Sequence, residues 1–248
     1  MILEASDLAK SFGSVEAVRA ASFGVDAGEM LAMIGPNGAG KTTCFNLLDG
    51  QLAPDAGSVK LEGREVVGLK PREIARLGVG RTFQITATFA SMTVRENVQA
   101  ALLSHRRRLA DPWTRAESLC REDADRLLAR VGMLAQAVRA CAVLAYGDLK
   151  RVELAMALAS EPRLLLMDEP TAGMAAAERG ELMALVASIA RERSIAVLFT
   201  EHDMDVVFAH ADRIVVLHRG RVIAAGRPAD VRASPEVREV YLGSGGAA

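Results

Sequence analysis

The 248-residue sequence predicts an α/β fold with a mostly parallel sheet, an N-terminal antiparallel β region and an inserted α-helical subdomain. Three observations lead to this prediction. Short apolar runs alternate with helical patterns around residue 30 and again after residue 160, and such alternation is typical of a parallel sheet with helices on both faces. Residues 1–30 read as short strands joined by turns. Residues 85–159, between the two alternating parts, have a helical pattern.

The N-terminal part contains the antiparallel strands. Gly63 lies between two short apolar segments, which is a hairpin pattern. Strands are predicted at residues 2–5, 15–25, 58–61 and 65–67. Between the second and third of these strands, the first strand of the parallel sheet is predicted at residues 29–34. A helix at residues 41–48 comes next and ends before Gly50.

The inserted subdomain begins with a clear helix signal. Thr93 and Glu96 have the spacing of a capping box, which starts a helix at residues 94–107. Two further helices are predicted, at 115–131 and 149–158.

Strands and helices alternate again after the inserted subdomain. We expect strands at 164–167, 195–200, 213–217 and 222–225, and a helix at 175–191. The chain is therefore predicted to be one domain, 1–248. Its core comprises residues 1–84 and 160–248, and its helical subdomain comprises 85–159.

The segment GPNGAGKT, residues 35–42, fits the GxxxxGKT phosphate loop. Glycine-rich backbone in this motif lets successive N–H groups surround anionic oxygens at a helix N-terminus. The predicted strand before it and the predicted helix after it are the required context. Lys41 is expected to bind the β- and γ-phosphates, and the Thr42 hydroxyl to ligate magnesium. The core is thus predicted to be a P-loop NTPase (RecA-like) core, the alternative being a glycine turn without a ligand.

Two adjacent acids follow another apolar run, in LLLMDEP at residues 164–170. A buried strand delivers them at its carboxyl end, where α/β sheets hold ligands. Asp168 is suited to hold magnesium through oxygen ligands and water. Glu169 is the expected general base for the attacking water. A solvated turn is the alternative for such a pair, and the nearby phosphate loop disfavours it.

With LAYGD at residues 144–148 between them, these motifs make the chain resemble the nucleotide-binding subunits of ABC transporters, over about residues 3–242. The resemblance implies ATP and Mg²⁺ as ligands. Gln84 matches the glutamine that links the ATP site to the membrane partner and binds magnesium, His202 matches the switch histidine, and Phe12 matches the adenine-stacking aromatic. Catalytic roles are implied for Lys41, Gln84, Glu169 and His202. ATP-binding positions are implied at Phe12, Gly35, Pro36, Asn37, Gly38, Ala39, Gly40, Lys41, Thr42 and Thr43 and, across a dimer, at Leu144, Ala145, Tyr146, Gly147 and Asp148.

The signature segment departs from the family pattern LSGGQ. Ala145 replaces Ser and removes one hydrogen-bond donor to the γ-phosphate, Tyr146 replaces the first Gly, and Asp148 replaces Gln. Ala175 stands where many relatives carry an Asp that couples the two ATP sites. Slower hydrolysis, or an ATP-binding subunit that does not hydrolyse, therefore stays open.

Composition limits the partners. Lys plus Arg (30) nearly equals Asp plus Glu (31), so no strong field points to nucleic acid. The basic run at 105–108 is read as a solvated helix end, with contact to a membrane partner as the alternative. No apolar stretch reaches the ~20 residues that span a bilayer. We expect a cytoplasmic protein, peripheral on the cytoplasmic face of the membrane.

Local strings such as RTFQ, MTVRENV and EHDMDVV resemble the ATPase subunits of branched-chain amino-acid importers. Urea importers and the lipopolysaccharide-export ATPase share much of this pattern. The resemblance implies transmembrane permease partners, whose coupling helices we place near Gln84 and residues 85–92. It also implies a dimer, either of identical chains or with a related ATPase, that buries two ATP molecules.

Overall fold

The structure, a computed structural model, describes residues 1–82, 88–106 and 120–242. The strands are β1 (Leu3–Phe12), β2 (Val15–Val25), β3 (Met30–Ile34), β4 (Ala56–Leu61), β5 (Arg64–Glu65), β6 (Val79–Thr82), β7 (Leu164–Asp168), β8 (Ala196–Thr200), β9 (Arg213–His218) and β10 (Arg221–Gly226). The helices are α1 (Lys41–Leu48), α2 (Pro71–Arg76), α3 (Val94–His105), α4 (Arg121–Arg130), α5 (Tyr146–Leu158), α6 (Ala176–Arg193), α7 (Met204–His210), α8 (Pro228–Ala233) and α9 (Pro235–Val237). None of these described helices is long and apolar enough to cross a bilayer.

The strands form two sheets. The first is antiparallel, in the order β2-β1-β4-β5. The second has the order β10-β9-β3-β8-β7-β6, and only β10 in it runs antiparallel to its neighbour. Because β3, β7 and β8 are parallel, their carboxyl ends lie at one edge of this sheet. The predicted fold class is therefore confirmed.

The central strands of the parallel sheet are buried on both faces, and their alternate residues enter two different hydrophobic cores. Met30 and Ile34 of β3 belong to the core shared with α3–α6, whereas Leu31 and Met33 belong to the core shared with α1 and the antiparallel sheet. This is the two-residue period of a strand covered on both sides. The sheet edge is thereby held rigidly from both faces.

Helices α3, α4 and α5 pack against one another within the inserted region. The predicted capping box begins α3: the Thr93 hydroxyl accepts from the Glu96 N–H at 3.2 Å, and the Glu96 carboxylate accepts from the Thr93 N–H at 2.6 Å. Parts of the predicted helices at 94–107 and 115–131 lie outside the described residues. The division of the chain into subdomains stays a prediction.

Several predicted boundaries are wrong. Helix α4 begins at Arg121, because the left-handed Cys120, with a φ of 57°, interrupts the helix predicted at 115–131. Strand β1 extends to Phe12 rather than ending at residue 5, because pairing with β2 resumes after a bulge at Asp7, whose φ is 50°. Strand β5 is limited to Arg64–Glu65. Helix α5 begins at Tyr146, three residues before the predicted start, since the chain becomes helical directly after the extended Ala145.

Candidate nucleotide site

The loop between β3 and α1 needs glycine at two places where another part of the backbone comes close. A β-carbon at residue 35 would lie 2.2 Å from the carbonyl oxygen of Leu217, and one at residue 40 would lie 2.4 Å from that of Ala17. Gly40 is also the residue before α1, with a φ of 105°. The loop is therefore seated against β9 and β2, with its backbone uncovered at the start of α1.

Lys41 is the first residue of α1 and is only 8% exposed. Its ammonium donates to the carbonyl oxygens of Gly35, at 2.7 Å, and Pro36, at 3.3 Å. Burial lowers the pKa of Lys41, and the negative charges of Glu169 and Asp168 oppose that shift. A buried cation thus lies at the base of the loop, facing two acids.

Asp168 and Glu169 follow one another at the end of β7, and Thr200 at the end of β8 fixes both. The Thr200 hydroxyl donates to Asp168 Oδ1 at 2.8 Å and accepts from the Glu169 N–H at 3.0 Å. Glu169 has a φ of 50°, a conformation that costs a side-chain-bearing residue about 1–2 kcal/mol. At this strained turn, the Asp168 carboxylate lies against Thr200 and the Glu169 carboxylate lies against His202.

His202 lies beside Glu169, as expected for two residues that follow neighbouring strands. The His202 Nε2 atom is 2.8 Å from Glu169 Oε1. The Glu169 carboxylate is one-fifth exposed and the imidazole about half exposed. One ring nitrogen of the imidazole therefore contacts the acid at the rim of the site.

A further acid, Glu201, was not expected from the sequence. Its carboxylate accepts from the Thr171 N–H at 2.8 Å and from the Thr171 hydroxyl at 2.7 Å, and its side chain is buried. Burial raises the pKa of Glu201. Its position at the end of an apolar strand, next to His202, was the signal that could have identified it. Glu201 ties the segment after the acid pair to the end of β8.

A cavity of about 430 Å³ brings the predicted residues 37–43 together with Glu169 and His202. Two arginines in its wall, Arg19 and Arg219, were not expected. Its lining consists of Val15, Glu16, Ala17, Arg19, Asn37, Gly38, Ala39, Gly40, Lys41, Thr42, Thr43, Glu169, His202 and Arg219. Gly35, Pro36 and Asp168, all predicted for the site, do not line this cavity.

Other predicted residues also lie outside its described wall. Phe12 is half-exposed at the end of β1, 5.9 Å from the Lys10 ammonium, and it pairs with Val15, which does line the cavity. Gln84 lies outside the described residues. The signature segment, 144–148, is also absent from the lining, so within one chain the described cavity is built without it.

The signature segment forms the start of α5. Tyr146 is 40% exposed, its ring lies 5.5 Å from the Lys150 ammonium, and a β-carbon at Gly173 would come within 3.3 Å of it. The Asp148 carboxylate is in the first turn, where the helix dipole favours an acid. Gly173, which follows the acid pair in sequence and has no side chain, thus leaves room for the larger Tyr146.

Ala145 precedes α5 in an extended conformation and provides no side-chain cap. Ala145→Ser is expected to stabilise the protein by about 1 kcal/mol, because a hydroxyl at this position accepts from a free N–H of the first turn. Urea unfolding measures the change. Ala129→Ser, at an exposed position inside α4, is the control, and it should destabilise by about 0.5 kcal/mol. An Ala145→Ser protein no more stable than the parent would contradict this reading of the helix start.

The donor groups fit a nucleoside triphosphate with a hard cation. Loop N–H groups, one ammonium and two hydroxyls lie around the start of α1. Asp168 does not line the cavity, but its charge acts on the Lys41 ammonium. In the described part of the chain, no three His, Cys, Asp or Glu side chains converge to hold a metal by themselves. Magnesium normally uses one or two carboxylates together with substrate phosphates, so this sparse set is the expected one.

Comparisons with known proteins agree with this geometry. A family model described as ABC transporter matches residues 18–172, and one described as branched-chain amino acid ATP-binding cassette transporter matches residues 221–247. The high-affinity branched-chain amino acid transport ATP-binding protein BraF of Pseudomonas aeruginosa is 39% identical over 98% of both chains. The protein of similar name, LivG, of Escherichia coli K12 is 38% identical over the same shares.

Solved structures give the same result. A nucleotide-free ATP-binding cassette from an ABC transporter has a TM-score of 0.86 at 30% identity, over 98% of this chain and 99% of that chain. An ATP-binding cassette of an ABC transporter in its ADP conformation has a TM-score of 0.87 at 30% identity, over 98% of both. The chain therefore belongs to the ABC transporter family, as an ATP-binding subunit that hydrolyses ATP.

Proposed function

We propose that this chain is the ATPase subunit of an importer for branched-chain or other hydrophobic amino acids. The support for this cargo is that BraF and LivG, which match almost the full chain, carry branched-chain amino acid transport in their names. The match of residues 221–247 to the branched-chain family model adds to it. The support for this cargo comes from the similarity to these proteins, because the described site is built for phosphate groups.

The phosphates of ATP bind in the cavity at the start of α1. Lys41 leaves its two carbonyl partners and donates to the β- and γ-phosphates, while N–H groups of residues 37–43 surround their oxygens. Thr42, Gln84 and Asp168 are the residues that would hold magnesium, which would supply positive charge to neutralise the phosphates. The base of ATP lies towards the β1–β2 hairpin, with Phe12 as the stacking ring.

Glu169 is the general base in this proposal. It lies in the wall of the cavity together with Lys41, where a water next to the γ-phosphate can give up its proton. His202, at 2.8 Å, orients the carboxylate and can donate to a γ-phosphate oxygen. The bond from the attacking water to phosphorus forms as the bond to the ADP oxygen breaks, and Glu169 takes the proton.

A second chain completes the site. The signature segment is absent from the cavity of its own chain, and Tyr146 in the middle of the segment is exposed. Two chains in head-to-tail arrangement can therefore place each signature segment on the γ-phosphate bound by the other. Hydrolysis produces ADP and phosphate, whose negative charges repel each other, and the dimer opens. The partner is either a second copy or a related ATPase.

The membrane partner binds in a second groove, of about 370 Å³, between the parallel sheet and the inserted helices. Its wall is mostly apolar, with Ile74, Val79, Ala101, Met156 and Ala157, and it adjoins Thr82, two residues before Gln84. A short helix from a permease fits such a groove. The chain would then lie on the cytoplasmic face of the membrane.

The test of this proposal is transport by the reconstituted complex. We expect the tagged chain to co-purify with its permeases from solubilised membranes of its own host. In proteoliposomes with ATP, this complex should accumulate labelled leucine in the presence of a periplasmic binding protein from the same host. Labelled urea is the control. Uptake of urea without uptake of leucine would overturn the proposal that amino acids are the cargo, but the chain would still be a transport ATPase.

A weakly hydrolysing regulatory subunit is the second candidate. Two observations favour it, because Ala145 has no hydroxyl for the γ-phosphate and Ala175, which precedes α6, has no carboxylate. Turnover of ATP by the purified chain, with and without its permeases, separates the two. An active motor is stimulated by the permeases, whereas a regulatory subunit stays slow in both conditions.

A further inference from the structure

Arg81, in β6, lies between two acids that belong to different parts of the molecule. Its Nη1 atom is 2.6 Å from Asp49 Oδ2, and its Nη2 atom is 3.6 Å from Asp168 Oδ2. The side chains of Arg81, Asp49 and Asp168 are only 11%, 11% and 10% exposed. Charges this well buried interact more strongly than surface pairs, because little water screens them.

The Arg81 guanidinium also contacts α1, the helix that follows the phosphate loop. Arg81 Nη1 also donates to Asn46 Oδ1 at 2.8 Å, and the guanidinium carbon lies 5.8 Å from the centre of the Phe45 ring. Asp49 directly follows the last residue of α1. Arg81 thus connects this helix end with the strand next to β7.

On one side, this cluster reaches the surface at the groove assigned to the permease. The Asp49 carboxylate accepts from the Gln51 N–H at 3.1 Å and from its side-chain amide at 2.8 Å. Asp49, Gln51 and Arg81 all line the groove. A segment docked there contacts groups bonded to Asp49.

On the other side, the cluster ends at the acid pair. Asp168 Oδ1 accepts from the Thr200 hydroxyl, at 2.8 Å, while its Oδ2 is the atom nearest to Arg81. The same Thr200 hydroxyl binds the Glu169 N–H. Hydrogen bonds and ion pairs therefore run without interruption from the exposed Gln51 to the acid proposed to hold magnesium.

We propose that Arg81 is a positioning residue that links occupancy of the groove to magnesium binding at Asp168. This inference rests on the proposed function, since it takes Asp168 as a magnesium ligand and the groove as the permease site. One guanidinium is shared by two carboxylates, and it is hydrogen-bonded to Asp49 and farther from Asp168. Its positive charge competes with a cation for Asp168.

The direction of the linkage follows from this competition. While Asp49 holds the guanidinium, its Nη2 atom stays 3.6 Å from Asp168 Oδ2, beyond hydrogen-bond distance, and this acid can bind magnesium. A docked partner that draws Asp49 away, for example through a cationic side chain, releases Arg81 towards Asp168 and weakens magnesium binding. Docking in the groove then lowers the affinity of Asp168 for magnesium, and magnesium binding at Asp168 disfavours docking to the same extent.

The test is a magnesium titration of four variants, each also carrying Glu169→Gln so that ATP is not consumed. Calorimetric titration of MgCl₂ into the protein with ATP gives the half-saturating concentration. Asp49→Asn should raise it roughly threefold or more, as for other contacting charged groups. Arg81→Gln should lower it, because the competing charge is gone. In the Arg81→Gln background, Asp49→Asn should have no further effect.

Two measurements separate this role from a merely structural one. Affinity for ATP in EDTA should stay near that of the parent, since the phosphate loop is untouched, whereas a structural role would lower it. The melting temperature shows that each variant is folded, and it should fall in the single variants because each leaves a buried charge without its partner. Asp55→Asn is the matched control. It removes an acid that directly precedes β4 and is paired with Lys10 of β1 at 2.7 Å, and it should leave the magnesium titration unchanged. If one single variant fails to fold, the other still decides the direction.

An unchanged magnesium requirement in the folded single variants would overturn the inference. So would an equal shift by Asp49→Asn with and without Arg81, because the effect would then bypass the guanidinium. Failure of the proposed function would give a different result. In that case the parent protein itself binds ATP no better with magnesium than in EDTA, or does not bind ATP.

Discussion

Replacement of Glu169 by Gln is expected to lower ATP turnover by roughly 10²–10⁴-fold while ATP binding is retained. An amide cannot take the proton of the attacking water. The rest of the local structure tolerates the change, because the Glu169 N–H bonds to Thr200 through the backbone and a glutamine oxygen can still accept from the His202 ring 2.8 Å away. The loss is therefore confined to the chemical step.

A dimer held by ATP should accumulate in this variant. Each ATP joins the phosphate loop of one chain to the signature segment of the other, and the repulsion that follows cleavage does not develop. Size-exclusion chromatography with ATP and magnesium should show a dimer that the parent protein forms only transiently. ADP should leave the variant monomeric.

Phosphate release and ATP affinity measure the two halves of this prediction. Glu181→Gln is the control, because Glu181 is an exposed acid of α6 that contacts only the partly exposed Arg151 among the described ion pairs. It should leave turnover unchanged. If Glu169→Gln hydrolyses ATP at the parental rate, Glu169 is not the base.

The parts of the site that the sequence predicts are those determined by local patterns. The run of apolar residues before Gly35, and the helix formers after Gly40, predict the end of β3 and the span of α1, and α1 has the predicted bounds. The acids at the end of β7 and the histidine after β8 lie together for a simple reason. Parallel strands end at one edge of their sheet. Asp168 is the last residue of β7, Glu169 follows it, and His202 is the second residue after β8.

Other neighbours arise only from the folded chain. Arg19 and Arg219 reach the nucleotide cavity because the turn before β10 bonds to β2, through the Arg19 N–H and the Gly220 carbonyl at 2.8 Å. No periodicity along the chain encodes this contact between two sheets. Arg81 is similar, since its two acids lie 32 and 87 positions away in the sequence.

The start of α5 shows how a local rule can be correct and incomplete. An acid near a helix start predicts a first turn around Asp148, and Asp148 does lie in that turn. The helix nonetheless begins at Tyr146, because packing of its ring against Gly173 favours a helical turn over the signature segment itself. Burial of Gly147 and Lys150 in the same helix supports this start.

Lys41→Ala is the second change with a large expected effect: loss of ATP affinity by roughly 10-fold to 100-fold or more, the range for removal of charged hydrogen bonds. In the structure, the Lys41 ammonium is buried and donates to two carbonyl oxygens. Binding exchanges these neutral acceptors for phosphate oxygens of full negative charge. Alanine removes the donor and also the cation that balances Asp168 and Glu169.

A fluorescent ATP analogue measures the affinity, and the melting temperature in the absence of nucleotide shows that the variant is folded. Lys70→Ala, at an exposed position before α2, is the control and should bind ATP like the parent. The ATP-dependent rise in melting temperature should be lost in Lys41→Ala and kept in Lys70→Ala, because only a ligand that binds the folded state shifts its stability. Parental ATP affinity in a folded Lys41→Ala protein would exclude the loop before α1 as the phosphate site, since no other described cation of the cavity wall lies at the start of that helix.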